Sequence, residues 1–349
     1  MHEITLIKKT LKTPRVFRSW IHGIHRRFCG QLSKHFVAPP DTALRYIYIM
    51  GQLRKTKQVW KSKPTLEGAG VHLKRAFGHA ELPTLDPFLL LDDFHSQNPA
   101  EYLEGFPWHP HRGIETITYV LTGDVEHGDS LGNKGLISSG DVQWMTAGSG
   151  IIHQEMPKGD ASGNLWGFQL WANLPASHKM MEPRYRDMKS SVIPEAVLAG
   201  DVRVRVICGA VGDVEGPVQD VVIEPEFLDV AVPPKTEFIH PVKRGHTVFA
   251  YVAEGEGRFA QERDHPQAPS ASSSAGARHA SYGAETLITY DDGDEIMVST
   301  DETAVRFLLV SGKPLKEPIA WMGPIVMNTQ EELNTAFLEY EKGTFIKHR

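Results

Sequence analysis

The run from Phe106 to Pro157, FPWHPHRGIETITYVLTGDVEHGDSLGNKGLISSGDVQWMTAGSGIIHQEMP, constrains the fold more than any other stretch. It is built of short β-rich segments closed by Gly, Asn and Asp. Glu115 to Leu121 ends at Thr122-Gly123-Asp124, Ser130 to Asn133 is a turn, and Ser139-Gly140-Asp141 precedes Val142 to Met145. Thr146 to Gly150 then bends the chain into a last strand. Strands this short at such turn spacings predict a sandwich or a small barrel. Two clusters of metal-ligating residue types bracket the run, His109-Pro110-His111 and His153-Gln154-Glu155. Residues two apart on a strand share a face. His109 and His111 therefore point one way, and so do His153 and Glu155. If the two strands are neighbours in a barrel, three imidazoles and one carboxylate converge. Such a set suits a divalent first-row metal, and iron(II) is natural for nitrogen and oxygen ligands with open positions. The plain alternative is two unrelated histidine pairs, and the strand-turn-strand spacer between them favours the metal.

A length of 349 residues is read as two domains. The 31 glycines and 23 prolines imply many turns and favour an all-β class. A net charge of -6 gives no reason to expect direct nucleic-acid contact. Cys29 and Cys208 are too far apart in sequence for a disulfide framework, so a reducing compartment, the cytoplasm, is expected. No apolar run approaches the roughly 20 residues that span a bilayer, so no membrane contact is expected. The chain is taken as a monomer.

Residues 1–49 differ from the rest. Lys8, Lys9, Lys12, Arg15, Arg18, Arg26, Arg27, Lys34 and Arg45 face only Glu3 and Asp41. That composition fits an organelle transit peptide, a basic tail for an acidic partner, or an extension upstream of a natural start at Met50. The last reading is preferred, with residues 1–52 a basic, weakly packed extension. A metal-binding barrel is expected over 53–190. Within it, Val71 to Phe77 alternates as a half-buried strand, and Pro87 to Phe94 ends in Asp92 and Asp93, candidate neighbours of the site. Asn164 to Pro175, NLWGFQLWANLP, is a core strand whose inward members line the cavity, and 176–190 is a linker or short helix between domains. A second barrel is expected over 191–326. His240 to Gly257, HPVKRGHTVFAYVAEGEG, echoes HPHRGIETITYVLTGD and implies a duplicated unit. The copy has neither H-x-H nor H-x-E, so it is expected to hold no metal, with His240 and His246 structural. The Pro/Ser/Ala-rich patch within 261–282 reads as a flexible loop. The tail, 327–349, reads as a helix capped by Asn328 or Thr329 and ended by Gly343, with Leu333, Phe337, Leu338 and Tyr340 on one side.

The segments WHPHRGIETITYVLTGDVEHGDSLGN, GDVQWMTAGSGIIHQEMP and GFQLWANLP resemble the pirin family of the cupin superfamily. The likeness runs over about residues 53–343 and leaves out 1–49. It implies an all-β bicupin, two face-to-face cupin β-barrels (double-stranded β-helices) with a C-terminal helix and a metal in the first barrel. The general cupin pattern places its glutamate four positions after the second histidine, which is Glu115 here. Pirins instead use the glutamate two after the third histidine, Glu155. The implied ligands are thus His109, His111, His153 and Glu155, with Glu115 left beside the site as a supporting group. The late position of His153, after Thr146-Ala147-Gly148, is itself a pirin feature.

The resemblance further implies a quercetin 2,3-dioxygenase type of activity, opening the central ring of a flavonol with O2. Iron(II) is the expected metal, with manganese, nickel, cobalt and copper as alternatives. Glu155 would double as catalytic base. Phe106, Trp108, Met145, Phe168 and Trp171 are candidate walls for a small aromatic or polyphenol substrate. The alternative is a non-enzymatic iron-binding, redox-sensing regulatory protein that acts through protein partners.

Overall fold

Strand alternation is realised where the sequence shows it. In Val71–Phe77 the buried Val71 and Leu73 flank the exposed His72. The computed structural model describes residues 51–259 and 280–348. The basic extension and the Pro/Ser-rich patch, with the expectations placed on them, lie outside those residues except at their edges. No helix among the described residues is long and apolar enough to cross a membrane.

Among the described residues twelve strands come before residue 190: β1 Thr56–Lys61, β2 Lys63–Glu67, β3 Val71–Phe77, β4 Phe88–Ser96, β5 Phe106–His111, β6 Ile114–Thr122, β7 Val125–Asp129, β8 Lys134–Ile137, β9 Val142–Thr146, β10 Ile151–Pro157, β11 Leu165–Asn173 and β12 Arg184–Met188. Thirteen follow: β13 Glu195–Val197, β14 Arg203–Cys208, β15 Ala210–Val211, β16 Val214–Glu215, β17 Glu226–Val232, β18 Glu237–Pro241, β19 Thr247–Phe259, β20 Tyr282–Gly283, β21 Thr286–Tyr290, β22 Glu295–Ser299, β23 Val305–Gly312, β24 Ala320–Met322 and β25 Ile325–Met327. One helix, α1 Gln330–Glu341, closes the chain.

The first barrel sets a seven-stranded sheet, β12-β9-β6-β11-β4-β3-β2, against a four-stranded sheet, β5-β10-β7-β8. The second sets β1-β21-β19-β23-β17-β14-β13 against β18 and β22. This is the expected all-β architecture of two cupin barrels with one C-terminal helix. The strand that precedes each barrel in the chain pairs into the sheet of the other. β1 adds to β21, and β12 adds to β9.

The large sheets face each other through one apolar core. Phe77, Phe88, Ile117, Tyr119, Trp144 and Phe168 meet Ile207, Phe227, Phe249, Tyr251 and Leu308. Two reciprocal bonds clamp this interface. Tyr119 of the first barrel donates to Asp229 of the second at 2.6 Å, and Tyr251 of the second donates to Asp93 of the first at 2.9 Å. Their mirrored placement supports the duplication expected from the sequence. Inside the second barrel, Val204, Leu228, Phe238, Phe259, Ile288, Phe307 and Leu309 fill the space.

The C-terminal segment returns to the first barrel. Trp321 and Val326 pack with Leu89, Ile114, Met145 and Ile151. Thr329 caps α1 in a capping box with Glu332. The helix buries Leu333 and Ala336, while Leu338 and Tyr340 point outward, contrary to the expected apolar side. Arg112, fully buried, fastens this segment. It donates to the carbonyls of Ser149 and Phe345 and to Glu339.

Candidate metal centre

β5 and β10 are antiparallel neighbours, with His153 opposite His109 and His111 opposite Ile151. Strand parity turns all three rings to the barrel interior. Their ring nitrogens lie within 4.8 Å of one another. A bulge between His153 and Glu155 shifts the register, so Glu155 sits opposite Phe106.

The proton inventory of these rings tests whether they fit a metal. His109 Nδ1 is 2.8 Å from the Pro107 carbonyl, and His111 Nδ1 is 3.1 Å from the Pro324 carbonyl. A carbonyl oxygen only accepts, so each Nδ1 carries the proton. In the neutral rings each Nε2 is then a bare lone pair. Yet the two Nε2 atoms lie 3.1 Å apart, with no proton to share between them. Among the described residues neither nitrogen of the buried His153 has a partner. Burial, and the neighbouring histidines, push His111 and His153 well below the ordinary imidazole range, so both rings are kept neutral. Three imidazoles that crowd their ring nitrogens around one point, two of them held neutral by burial, are what a cation relieves. The triad therefore fits a metal ion.

Glu155 lies beside the triad, its Oε2 4.0 Å from His153 Nε2. Thr118 donates to Oε1 at 3.1 Å, and Gln169 Nε2 reaches Oε1 at 3.1 Å and Oε2 at 3.0 Å. Glu115 is placed elsewhere. It shares a face of β6 with Ile117 and Tyr119, the face turned to the second barrel, and its Oε1 accepts from Thr146 at 2.6 Å. Its expected place beside the metal is corrected by strand parity: Thr116 and Thr118 take the interior face. Burial pushes the Glu115 carboxyl above its usual range.

A cavity of about 620 Å³ opens onto the site. His109, His111 and Gln169 form part of its lining, with Phe106, Leu90, Trp171 and Trp321 as apolar wall and Asp92 and Arg75 as polar wall. Arg75 grips Asp92 with two bonds of 2.8 and 2.7 Å. Burial raises the Asp92 carboxyl above its usual range, and Arg75 opposes that rise. Of the five expected wall residues, Phe106 and Trp171 line the cavity. Trp108 is half exposed and is not among the lining residues. Met145 is buried against Leu89 and Ile151. Phe168 belongs to the core between the barrels, because β11 alternates and its neighbour Gln169 takes the inward position.

None of Gln169, Trp321 and Pro324 was expected at the site from the sequence, which marks Trp321 to Val326 only as an apolar stretch able to dock on a domain surface. A lone amide within the aromatic run NLWGFQLWANLP was a usable signal for Gln169. Nothing local marks Pro324, whose carbonyl reaches His111 across 213 residues of sequence.

Similarity to known proteins agrees with this geometry. The family described as Pirin matches residues 70–172, and the Pirin C-terminal cupin domain matches residues 227–346. A pirin-like protein of Caulobacter vibrioides is 40% identical over 294 residues, covering 84% of this chain and 99% of its own length. Homo sapiens pirin is 36% identical over 297 residues, covering 83% of this chain and 93% of its own length. A crystal structure of quercetin 2,3-dioxygenase from Acinetobacter baumannii superposes with a TM-score of 0.71 at 30% identity, covering 84% of this chain and 99% of that one. With two cupin barrels, a histidine triad in the first and relatives matched along nearly their whole length, the chain belongs to the pirin family.

Proposed function

We propose that this protein is an iron-dependent dioxygenase that opens the central ring of a flavonol such as quercetin with O2 and releases carbon monoxide. The observation that carries the reading is the triad of imidazoles, their ring nitrogens within 4.8 Å of one another, beside a cavity with an aromatic wall. The solved relative named quercetin 2,3-dioxygenase supports the substrate class. His109, His111 and His153 would hold the ion, with Glu155 as fourth ligand. Iron(II) bound there supplies open positions and redox chemistry for bringing dioxygen and the flavonol oxygens together.

The chain's own residues have separable tasks. Trp171 and Trp321, with ring centroids 6.3 Å apart, give a flat polyphenol an apolar wall. The Glu155 carboxylate takes the proton of the flavonol hydroxyl, leaving the substrate as its anion. Thr118 and Gln169 hold that carboxylate in place by donating to it. Arg75 and Asp92 present polar groups to the outer hydroxyls. The proposed setting is the cytoplasm, where the buried Cys208 stays a thiol.

The test is oxygen uptake and carbon monoxide release by iron-loaded protein given quercetin, with metal analysis of the protein as purified. Turnover lost in His109→Ala supports the proposal. Stoichiometric iron binding without oxygen uptake would refute it and leave a metal-sensing role.

A further inference from the structure

Gln169 sits where the cavity meets the metal centre, and its orientation is fixed by chemistry. The Trp171 indole N–H only donates, and it lies 3.1 Å from Gln169 Oε1. The amide oxygen is therefore committed to Trp171, and the amide nitrogen must face the other way. There it meets both oxygens of Glu155, at 3.1 and 3.0 Å. Thr118 adds a second donor to Oε1 alone. The two carboxylate oxygens are thus unequal. Oε1 takes two side-chain donors, while Oε2 takes one and is the oxygen 4.0 Å from His153 Nε2.

We infer that Gln169 is a positioning residue: held by Trp171, it fixes Glu155 so that Oε2 alone is presented to a metal on the three histidines. This rests on the proposed role of Glu155 as fourth ligand. A barrel-filling role would make Gln169 matter equally with or without the Glu155 carboxylate. A positioning role makes it matter only through that carboxylate. Trp171 adds a link to the histidines themselves, since its ring meets His111 edge-on at 5.0 Å. The wall of the cavity and the orientation of the fourth ligand are therefore set by one pair of neighbouring side chains on β11.

The experiment is a cobalt(II) titration of metal-free protein, read by the visible absorption of the bound ion and by affinity. Gln169→Leu should weaken binding by about 10- to 100-fold, the usual cost of losing a group that orients a ligand, and should shift the absorption bands. Trp171→Phe, which removes the indole donor but keeps a ring, should cause a smaller loss in the same direction. In a Glu155→Gln background neither change should have further effect. Equal losses in both backgrounds, or full affinity with an unchanged spectrum in Gln169→Leu, would overturn the inference. Glu155→Gln alone separates the two levels. If it leaves spectrum and affinity unchanged, the ligand role of Glu155 fails and the inference falls with it. If it changes them while Gln169→Leu does not, only the inference fails. Should Gln169→Leu not fold, the Trp171→Phe pair decides on the same criteria.

Discussion

Replacing Asp93 with Asn isolates a pH-dependent term in the joint between the barrels. Asp93 is buried on the face of β4 that meets the second barrel, accepting from Trp166 Nε1 at 3.1 Å and from Tyr251 at 2.9 Å. Its mirror residue, Asp229, is gripped by Arg306 with bonds of 2.9 and 2.7 Å. Among the described residues Asp93 has no such partner. Lys74, whose charge acts on Asp93, pairs instead with Glu285. Burial pushes the Asp93 carboxyl up to about 7, although its hydrogen bonds to Tyr251 and Trp166 pull it back. The unfolded chain holds an aspartate near its ordinary value of about 3.9. Between those values the folded protein keeps a proton that the unfolded chain has released. Stability from this group is therefore fully present below about pH 4 and is lost as the pH rises through about 7. A shift of about three units at 1.36 kcal/mol each sets a ceiling of about 4 kcal/mol.

The raw pH profile also contains terms of opposite sign. His111 and His153 are held neutral, so their contribution is present above the ordinary imidazole pKa of about 6.5 and is lost as the pH falls below it. Subtracting wild type from Asp93→Asn cancels these. The substitution suits the site, because the amide oxygen can accept from Trp166 while the amide nitrogen donates to the Tyr251 oxygen. The Tyr251 hydroxyl proton is then free for Ser62 Oγ, 3.4 Å away. Urea unfolding of metal-free protein from pH 4.5 to 8 should show Asp93→Asn gaining on wild type as the pH rises, by a few kcal/mol in all. A difference that stays flat across that window would mean Asp93 is ionised throughout, and the reasoning would be wrong.

Arg112→Ala should destabilise by about 1–3 kcal/mol for each of the two carbonyls left short of a donor, with little added by the part-exposed Glu339. Hydrogen exchange should rise first over residues 330–345, the segment it fastens. Metal at about 100 times its Kd should stabilise wild type by about 2.7 kcal/mol in thermal unfolding, and this gain should vanish in His153→Ala. Trp321→Ala should weaken quercetin binding more than it changes cobalt(II) affinity, because Trp321 lines the cavity but contributes no ligand. Equal losses in both measurements would place it in support of the triad.

The parity of H-x-H and H-x-E made the histidine triad legible, because a strand's two-residue period needs no knowledge of the fold. The walls were harder to read. β11 is buried on both sides, Phe168 against the second barrel and Gln169 toward the cavity, so apart from Gln169 and the terminal Asn173 both of its faces are apolar or small and give little inward-outward signal. Phe168 was misplaced for that reason, whereas Glu115, on β6, was set beside the site by the general cupin spacing, and strand parity turns it to the other face. The same blindness hid the C-terminal contribution. Trp321 to Val326 reads as an apolar patch able to dock, but that its turn supplies the acceptor for His111 depends on contacts between distant parts of the chain. On α1, Leu338 and Tyr340 followed the helical period yet stayed exposed, since the barrel surface beneath covers only the stripe through Leu333 and Ala336.

The asymmetry between the barrels follows from what each interior must tolerate. β18, matched by sequence to β5, keeps His240 where β5 has His109, but that ring stacks on Phe238 and sets its Nε2 2.9 Å from Glu226. Phe238, Phe259 and Phe307 then pack edge to face through the interior. Burying such rings stabilises the fold by a few kcal/mol each and needs no ligand. The first barrel instead buries imidazoles with unpartnered nitrogens around an open cavity, an arrangement that costs stability without a cation. Two open barrels would carry that cost twice. One filled barrel, joined to its neighbour through a shared apolar core and two Tyr–Asp clamps, lets the other remain hollow and polar inside. The second barrel thus serves the proposed site by stabilising the sheet from which Thr118, Gln169 and Trp171 project.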